Sequence, residues 1–502
     1  MTNRGFTILL PVVFLVISTI IHAEDADSRT GRMWETLQWS VKNSSIQGNP
    51  YDVEASATFR HSSGETRTTG MFYDGDDTWK FRFTGTQTGE WKFFTTSLDP
   101  ELSGMSGTVI VKPNPDPQAH GFIKSFGNKW GWQGTEEAFI PQLMMYKTPD
   151  EFYGRSDVID ADIKKFIVEH CFTGFHVPSI AGRWFDLDGN NDRVNMDMTE
   201  PDRRTFESLE MVISKVHAAG GMVHIWGWGD HSRHQTPRDL TGGINGVVDR
   251  RLQRYIAARL GPLAGWSIGY GFDLDEWVDE EGLKQWHIYM HEHLGWHHFL
   301  GGRSSGPNHG TDHKGYQIYD GLDYAGYEHH RPTYAVYVAA LEMNPHKPVF
   351  SEDRFRIRHP SSYPEKDYTE QLTRRGLWDS AMAGGVANIW GKLTDGPSYE
   401  NIHWFKSYYL FFKHRFLKEM LRDNSITDGV CLKTPDREHF IFYKEKAGSI
   451  SIDLSEMHSA QPAVAMDALK PYEEINCGQL EAKEQTWQAP YKSDWAIAVG
   501  KF

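Results

Sequence analysis

Hydrophobic positions change period twice along the chain. Between residues 33 and 112 they alternate with polar ones: Val53, Ala55, Ala57 and Phe59, then Trp79, Phe81 and Phe83, then Trp91 and Phe93. A period of two marks a strand with one buried face. Turns fall between these runs at Asp74-Gly75-Asp76-Asp77 and Thr88-Gly89-Glu90,. Short strands joined by close turns predict a β-sandwich over 30–113. Lys112-Pro113-Asn114-Pro115-Asp116-Pro117 then reads as a stiff linker,.

From 118 onward, apolar runs alternate with helical patterns. Strands are predicted at 139–144, 174–178, 222–228, 266–272, 298–302, 324–327, 348–351 and 386–390,. Helices fit between them at 159–170, 204–219, 247–260, 281–294, 334–344 and 368–383, with a last amphipathic helix at 401–421. This alternation predicts a (β/α)8 TIM barrel over 118–424. Its fifth and sixth strands are the least sharply marked, because a long Gly- and His-rich loop fills 301–319. Beyond 425 short strands return at 439–443, 449–454, 463–466 and 495–499, and predict a small C-terminal β-sandwich over 425–502,. The expected fold class is therefore multidomain: β-sandwich, central barrel, β-sandwich.

The first residues read differently. Arg4, the apolar run 6–21 and Ile21-His22-Ala23 have the layout of a signal peptide over 1–23,. A membrane anchor is the other reading, but Pro11, Ser18 and Thr19 interrupt a short run,. The expectation is a secreted or periplasmic protein with no membrane span after signal removal. A formal charge of −15 argues against nucleic acid as a partner,. Cys171, Cys431 and Cys477 show no metal-ligand spacing,. Cys431 and Cys477 could pair in an oxidising compartment, and Cys171 reads as a buried free thiol. The 18 Trp suit either sugar stacking or a large core,.

Two carboxylates bring chemistry into the picture. Glu276 closes the run from Trp266, and Glu352 closes Lys347-Pro348-Val349-Phe350-Ser351-Glu352. Each ends an apolar strand, and a barrel collects its active site at the C-terminal strand ends. Two carboxylates there are the equipment for cutting a glycosidic bond. An ordinary pair of rim charges is the plain alternative.

Phe72-Tyr73-Asp74-Gly75-Asp76-Asp77-Thr78-Trp79-Lys80-Phe81-Arg82-Phe83, with Gly89-Glu90-Trp91 and Leu102-Ser103-Gly104-Met105-Ser106-Gly107, resembles the immunoglobulin-like N-terminal module of bacterial glycoside hydrolases. That module commonly precedes a clan A barrel of the retaining type. The strands ending in Glu276 and Glu352 look like the fourth and seventh of that clan, and Asp494-Trp495-Ala496-Ile497-Ala498-Val499 is similar to its closing β-domain. The resemblance covers nearly the whole chain after 23. It implies Glu276 as acid/base and Glu352 as nucleophile of a secreted hydrolase of poly- or oligosaccharides. The clan usually has Asn before its acid/base; here Asp275 stands there, able to accept a bond from a sugar 2-hydroxyl but to donate none when ionised. Asp273 and Asp275 are therefore reserve candidates for the acid.

Further candidates sit at predicted strand ends. Trp390 is a possible sugar platform or a core residue. Arg183 and Trp184 follow the second strand, and Trp228 and His231 the third. Tyr327 and His329 end the sixth, where the clan often has a Tyr that orients the nucleophile. His231, His234, His309, His313, His329 and His330, with Arg303, Arg331, Arg354 and Lys392, crowd the rim loops. They fit either an anionic glycan, uronic or sulfated, or a solvated rim. Asp186-Leu187-Asp188-Gly189-Asn190-Asn191-Asp192 has the oxygen-rich look of a calcium loop but lacks the bidentate Glu of an EF-hand,. His297-His298 and His329-His330 are adjacent and would point to opposite faces of a strand. No cofactor and no metal are expected, and the partner is a carbohydrate. A non-catalytic glycan-binding barrel and a polysaccharide lyase are the competing functions.

Overall fold

A computed structural model describes residues 27–189, 192–304, 316–329, 333–355, 369–391 and 399–502. Two facing sheets form the N-terminal sandwich. One holds five strands: Asp27–Arg32, Ser106–Lys112, Gly89–Ser97, Ala55–His61 and Thr66–Gly70. The other holds Thr36–Lys42, Thr78–Thr84 and Phe72–Tyr73. The alternating residues meet between them: Trp39 stacks on Phe81 at 5.1 Å and Phe59 on Phe83 at 4.1 Å. A strict alternation makes one face aromatic, and only a second sheet can cover it.

The barrel strands are β1 (Gln142–Met145), β2 (Gly174–Val177), β3 (Met222–Trp226), β4 (Trp266–Gly269), β5 (Phe299–Gly301 and Arg303–Ser304), β6 (Ala325–Tyr327), β7 (Val349–Phe355) and β8 (Ala387–Trp390). All neighbours are parallel. The first half of β5 pairs with β4 and the second half with β6, so the circle closes across Gly302. Helices α1 (Ser156–Asp162, continued by a π-helical turn Ile163–Glu169), α2 (Arg203–Ala218), α3 (Val247–Leu260), α4 (Glu280–Leu294), α5 (Tyr334–Met343), α6 (Glu370–Ala383) and α7 (Ile402–Phe412) belong to the outer layer. Each follows its strand; among the described residues no helix follows β5.

Side chains alternate between the helical layer and the barrel axis. Phe175, Val177, Val223, Ile225, Trp266 and Ile268 join the helix-side core. Leu143, Met145, Met222, Phe299, Phe350, Ala387 and Ile389 fill the axis. A small sheet, Ile123–Phe126 with Lys129–Trp132 and Ala138–Phe139, closes the N-terminal end. Its Trp130 lies 5.0 Å from Phe299 and 5.4 Å from Tyr324, and its indole N–H donates to the Val349 carbonyl. The axis is thus packed from below, and open chemistry is confined to the strands' C-terminal end.

The sandwich is welded to the barrel. Arg82 donates to the Arg259 carbonyl and to Glu210, Thr84 to the Pro262 carbonyl, and Trp296 to the Thr84 carbonyl. At the other end, one six-stranded antiparallel sheet spans Leu421 to Val499. Its long strands Phe440–Asp453 and Glu484–Val499 shift register at Lys444, Ala447 and Ser449. Their two halves share one core of Phe442, Ile450, Ile452, Trp495 and Ile497. It docks through the buried Arg374–Asp494 ion pair and Trp378 stacked on Tyr443 at 4.7 Å.

Cys431 and Cys477, which the sequence left free to pair, are free thiols. They sit on Val430–Lys433 and Ile475–Leu480, which three other strands separate in the sheet. Cys171 is also free, half-buried rather than buried. The residues expected to form a signal peptide, 1–23, lie outside the described residues. No described helix is long and apolar enough to cross a membrane.

Candidate active site

The inward positions of each strand can be followed upward from the packed floor. On β6 they are Tyr324, just before the strand, then Gly326 and Glu328. On β7 they are Phe350 and Glu352, on β3 Met222, His224 and Trp226, on β2 His176, and on β4 Ser267 and Gly269. Glu352 is completely buried at the barrel axis. Its Oε1 accepts a 2.7 Å hydrogen bond from the Tyr324 hydroxyl. His224 Nε2 lies 2.9 Å from the same oxygen, a close approach that lacks hydrogen-bond alignment, while its Nδ1 meets Ser267 Oγ at 2.9 Å. Oε2 has no hydrogen-bond partner among the described residues.

Glycines make room for this carboxylate. A Cβ on Gly326 would sit 2.6 Å from Glu352 Oε2, and one on Gly269 3.5 Å from Oε1. Two strands, β6 beside it and β4 further round the wall, therefore carry no side chain at that height. Register slips between Ser351 and Arg354 where β7 pairs with β8, so Glu352 falls in a bulge. Bulges of this kind re-aim side chains beside active sites. Around it, His176 stacks 5.3 Å from His224 and meets the Trp226 edge at 4.4 Å.

One turn higher is a second charged group. Asp273 holds a left-handed backbone (φ 51°) just past β4 and caps the short helix Leu274–Glu276. Its carboxylate pairs with Arg303 at 2.6 Å, and Arg303 reaches Glu328 at 3.3 Å. The Arg303 guanidinium covers the Phe272 and Trp226 rings at 5.0 and 5.4 Å. Burial pushes the Asp273 pKa up; Arg303 opposes this and the nearby Glu328 reinforces it, leaving it raised. Two carboxyl groups around one arginine favour retention of a proton.

The structure gathers few of the residues proposed from sequence. Glu352, read as the polar end of the seventh strand, stands buried on the axis within β7. Glu276 and Asp275 are exposed in the short helix Leu274–Glu276 that follows Asp273, beyond the end of β4 at Gly269. Trp390 is a correction: it faces the helical layer, donates to Gln142 Oε1 at 2.5 Å and would block a side chain at Gly376. Tyr327 is another, since it points outward into the cluster of Tyr337, Val349 and Val386. Both err by one strand position, which in a strand means the opposite face. Trp184 is buried, donating to the Gly227 carbonyl, and Trp228 is buried in the same core. Arg183 is held by Asp150 at 2.6 Å and by Asp192. His231 is half-buried with Nδ1 3.4 Å from Thr236, and His329 is half-buried beyond β6.

Of the basic rim, Arg303 is enclosed by acids rather than offered to solvent. His309, His313, His330, Arg331 and Lys392 lie outside the described residues. Arg204 pairs with Asp186 at 4.0 Å and with Asp188, so a cation already serves those carboxylates. Tyr324, His176 and Glu328 went unnoticed in the sequence. Once the register pairs Gly326 with Phe350, counting by two along β6 leads to Tyr324 and Glu328.

Residues 30–98 match the model of a domain of unknown function (DUF5060), which covers most of the sandwich. No curated protein matches the chain. Among solved structures, one from Bacteroides vulgatus ATCC 8482, named only provisionally as a glycoside hydrolase, aligns at TM-score 0.72 and 15% identity, over 95% of this chain and 100% of that one. A second, a glycoside hydrolase, aligns at TM-score 0.55 and 11% identity over 77% and 98%. A glycoside hydrolase family 5 member, also from Bacteroides vulgatus ATCC 8482, aligns at 0.52 and 12% over 76% and 94%. At such identities the likeness is one of fold: a TIM barrel flanked by β-domains, which the first of these solved structures matches along nearly its full length.

Proposed function

We propose that the protein is a glycoside hydrolase acting on a poly- or oligosaccharide by retaining double displacement. Glu352 is the nucleophile and Asp273 the acid/base. The observation that carries this reading is the buried Glu352 carboxylate, with one oxygen fixed by Tyr324 and the other without a hydrogen-bond partner among the described residues. A buried carboxylate left half-satisfied is costly, and such groups belong to working sites more often than to cores. Tyr324 orients the group for attack on an anomeric carbon, and the free Oε2 lone pairs supply the nucleophile. Departure of the leaving oxygen requires a proton from a group whose pKa lies above the ordinary carboxylate range. Asp273 meets that requirement and pairs with Arg303, whose guanidinium lies over the rings of Trp226 and Phe272; Glu276, the acid read from sequence, is exposed. The fold shared with glycoside hydrolases supports the same class of chemistry. The apolar run at 6–21 supports export to the cell exterior or periplasm.

The test is reducing-end release from neutral and anionic polysaccharides, beside Glu352→Gln, Asp273→Asn and Glu276→Gln. Glu352→Gln abolishes turnover. Asp273→Asn loses activity on polysaccharide but keeps it on aryl glycosides with good leaving groups, which need no acid for departure. If Glu276→Gln behaves that way instead, the acid assignment moves to Glu276. Glycan binding without turnover in the wild type would make this a binding barrel, and an ultraviolet-absorbing unsaturated product would make it a lyase.

A further inference from the structure

The axis is not the only place where ligand atoms converge. On the outer side of the barrel wall, His287 and His291 stand one turn apart on α4 and face Asp323, which precedes the first inward residue of β6. His291 Nε2 is 3.2 Å from His287 Nε2 and 2.8 Å from Asp323 Oδ2, and His287 Nε2 is 3.3 Å from Oδ2. Among the described residues this is the only set of three such side chains whose ligand atoms lie within 4.8 Å of one another. His297, in the loop before β5, brings its Nε2 within 3.8 Å of Asp323 Oδ1. Its ring lies 5.3 Å from that of His291.

Hydrogen bonding alone satisfies this triangle poorly. A neutral imidazole nitrogen carries either one proton or one lone pair. His291 Nε2 faces a second imidazole nitrogen and a carboxylate oxygen at once, and a single proton serves only one of them fully. Oδ2 already accepts the Leu300 backbone N–H at 2.8 Å. A cation at the centre satisfies all three atoms together. Ligands at the usual zinc distances sit about 3.3 Å apart around a tetrahedron, so the three observed sides are within half an ångström of that spacing. Imidazole-rich sets suit zinc better than magnesium or calcium, which prefer oxygen.

We propose that His287, His291 and Asp323 bind a zinc-type divalent cation, with His297 as the fourth ligand. The Leu300 N–H orients the carboxylate, the outer support a metal ligand needs. Exposure grades from 8% at His287 to an exposed His297, which leaves a way in from solvent. The ion's role is structural. It ties α4 to the starts of β5 and β6, and the residue after Asp323 is Tyr324, the partner of Glu352. This site stands on its own geometry, whatever reaction the axis performs.

The experiment uses untagged full-length mature protein stripped with chelator and dialysed. Calorimetric titration with zinc chloride should give one ion per chain, and zinc should raise the thermal midpoint. Cobalt(II) should give the visible absorption of a tetrahedral site. His291→Gln, which leaves the Leu300 contact intact, should weaken zinc binding at least about tenfold and remove the thermal response. His297→Ala, at an exposed position that does not threaten folding, should weaken binding and change the cobalt spectrum. Absence of zinc binding by the wild type, or equal binding by both variants, overturns the site; an unchanged His297→Ala alone removes His297 from the ligand set. None of these readouts depends on glycosidase activity.

Discussion

Tyr324→Phe is the sharpest test of the axial site. The substitution removes one hydroxyl and no ring. The phenyl ring keeps its neighbours Trp130, Phe350 and His224 at 5.4, 5.7 and 5.8 Å, so no cavity opens below Glu352. The single loss is the 2.7 Å hydrogen bond to Oε1, between two wholly buried groups. A bond to a charged group is worth about 1.5–3 kcal/mol. His224 remains at 2.9 Å but without the alignment to replace it. If the bond holds Glu352 in its attacking orientation, that energy appears in the barrier, a fall in kcat of roughly ten- to a hundredfold at about 1.4 kcal/mol per decade. The assay is steady-state hydrolysis of an aryl glycoside whose departure needs no acid, so that protonation of the leaving group is not read. KM should move little, because the hydroxyl is engaged with Glu352. A kcat within twofold of wild type would refute the assignment of Glu352 as a nucleophile positioned by Tyr324.

Other consequences can be checked separately. Gly326→Ala places a methyl 2.6 Å from both Glu352 Oε2 and the Gly302 carbonyl, so activity should fall by roughly five- to a hundredfold, the about 1–3 kcal/mol that overpacking costs, measured on the same substrate. Glu210 bridges Arg259 at 2.5 Å and Arg82 at 2.9 Å, so Glu210→Gln removes the one carboxylate shared by two buried guanidinium groups; Arg259 keeps Asp74 at 3.2 Å, and the loss should stay below the about 3–5 kcal/mol of a fully broken buried pair in chemical denaturation. Burial pushes the Glu210 pKa up, but the charges of Arg259 and Arg82 outweigh it, and the pKa ends lowered. The folded value is therefore below the ordinary 4.5: the contribution is complete above that pH, is lost as pH falls through the folded value, and should vanish from the acid-unfolding curve of the variant,. Thiol titration in denaturant without reductant should count three groups, with Cys431 silent in the folded protein because burial holds its pKa well above the ordinary range; a count of one would restore the Cys431–Cys477 bridge.

Periodicity alone carried the architecture. The switch from period two near 112 and back near 425 marks the change from sheet to barrel and from barrel to sheet, and the expected strands fall within a few residues of those observed. Hydrophobic period reports which secondary element can bury its face, and the sheets and helices here obey it. Glu352 was legible for the same reason, as the polar end of an apolar strand. Its partners were not. Tyr324 and Tyr327 are both tyrosines on one strand, but only the pairing of Gly326 with Phe350 decides which of them faces the axis. Trp390 failed likewise, being one position from the inward Ile389. Strand composition is nearly the same for both faces of a parallel barrel, since helices cover the outside and side chains fill the inside. Local sequence therefore leaves the facing undetermined, and closure of the sheet sets it.

The acid and the histidine cluster make the same point at longer range. Asp273, Asp275 and Glu276 are three acids within four residues; the left-handed turn at Asp273 and the cation of Arg303, thirty residues away, single one out. His287 and His291 had a readable spacing, one turn apart on a predicted helix, but their third partner comes from the foot of β6. What the chain determined by itself is its run of elements, because burial of a periodic face is a local demand. Which carboxylate is buried, which is paired and which histidines meet were decided only when the eight strands closed, because charge and coordination depend on neighbours brought together by the fold.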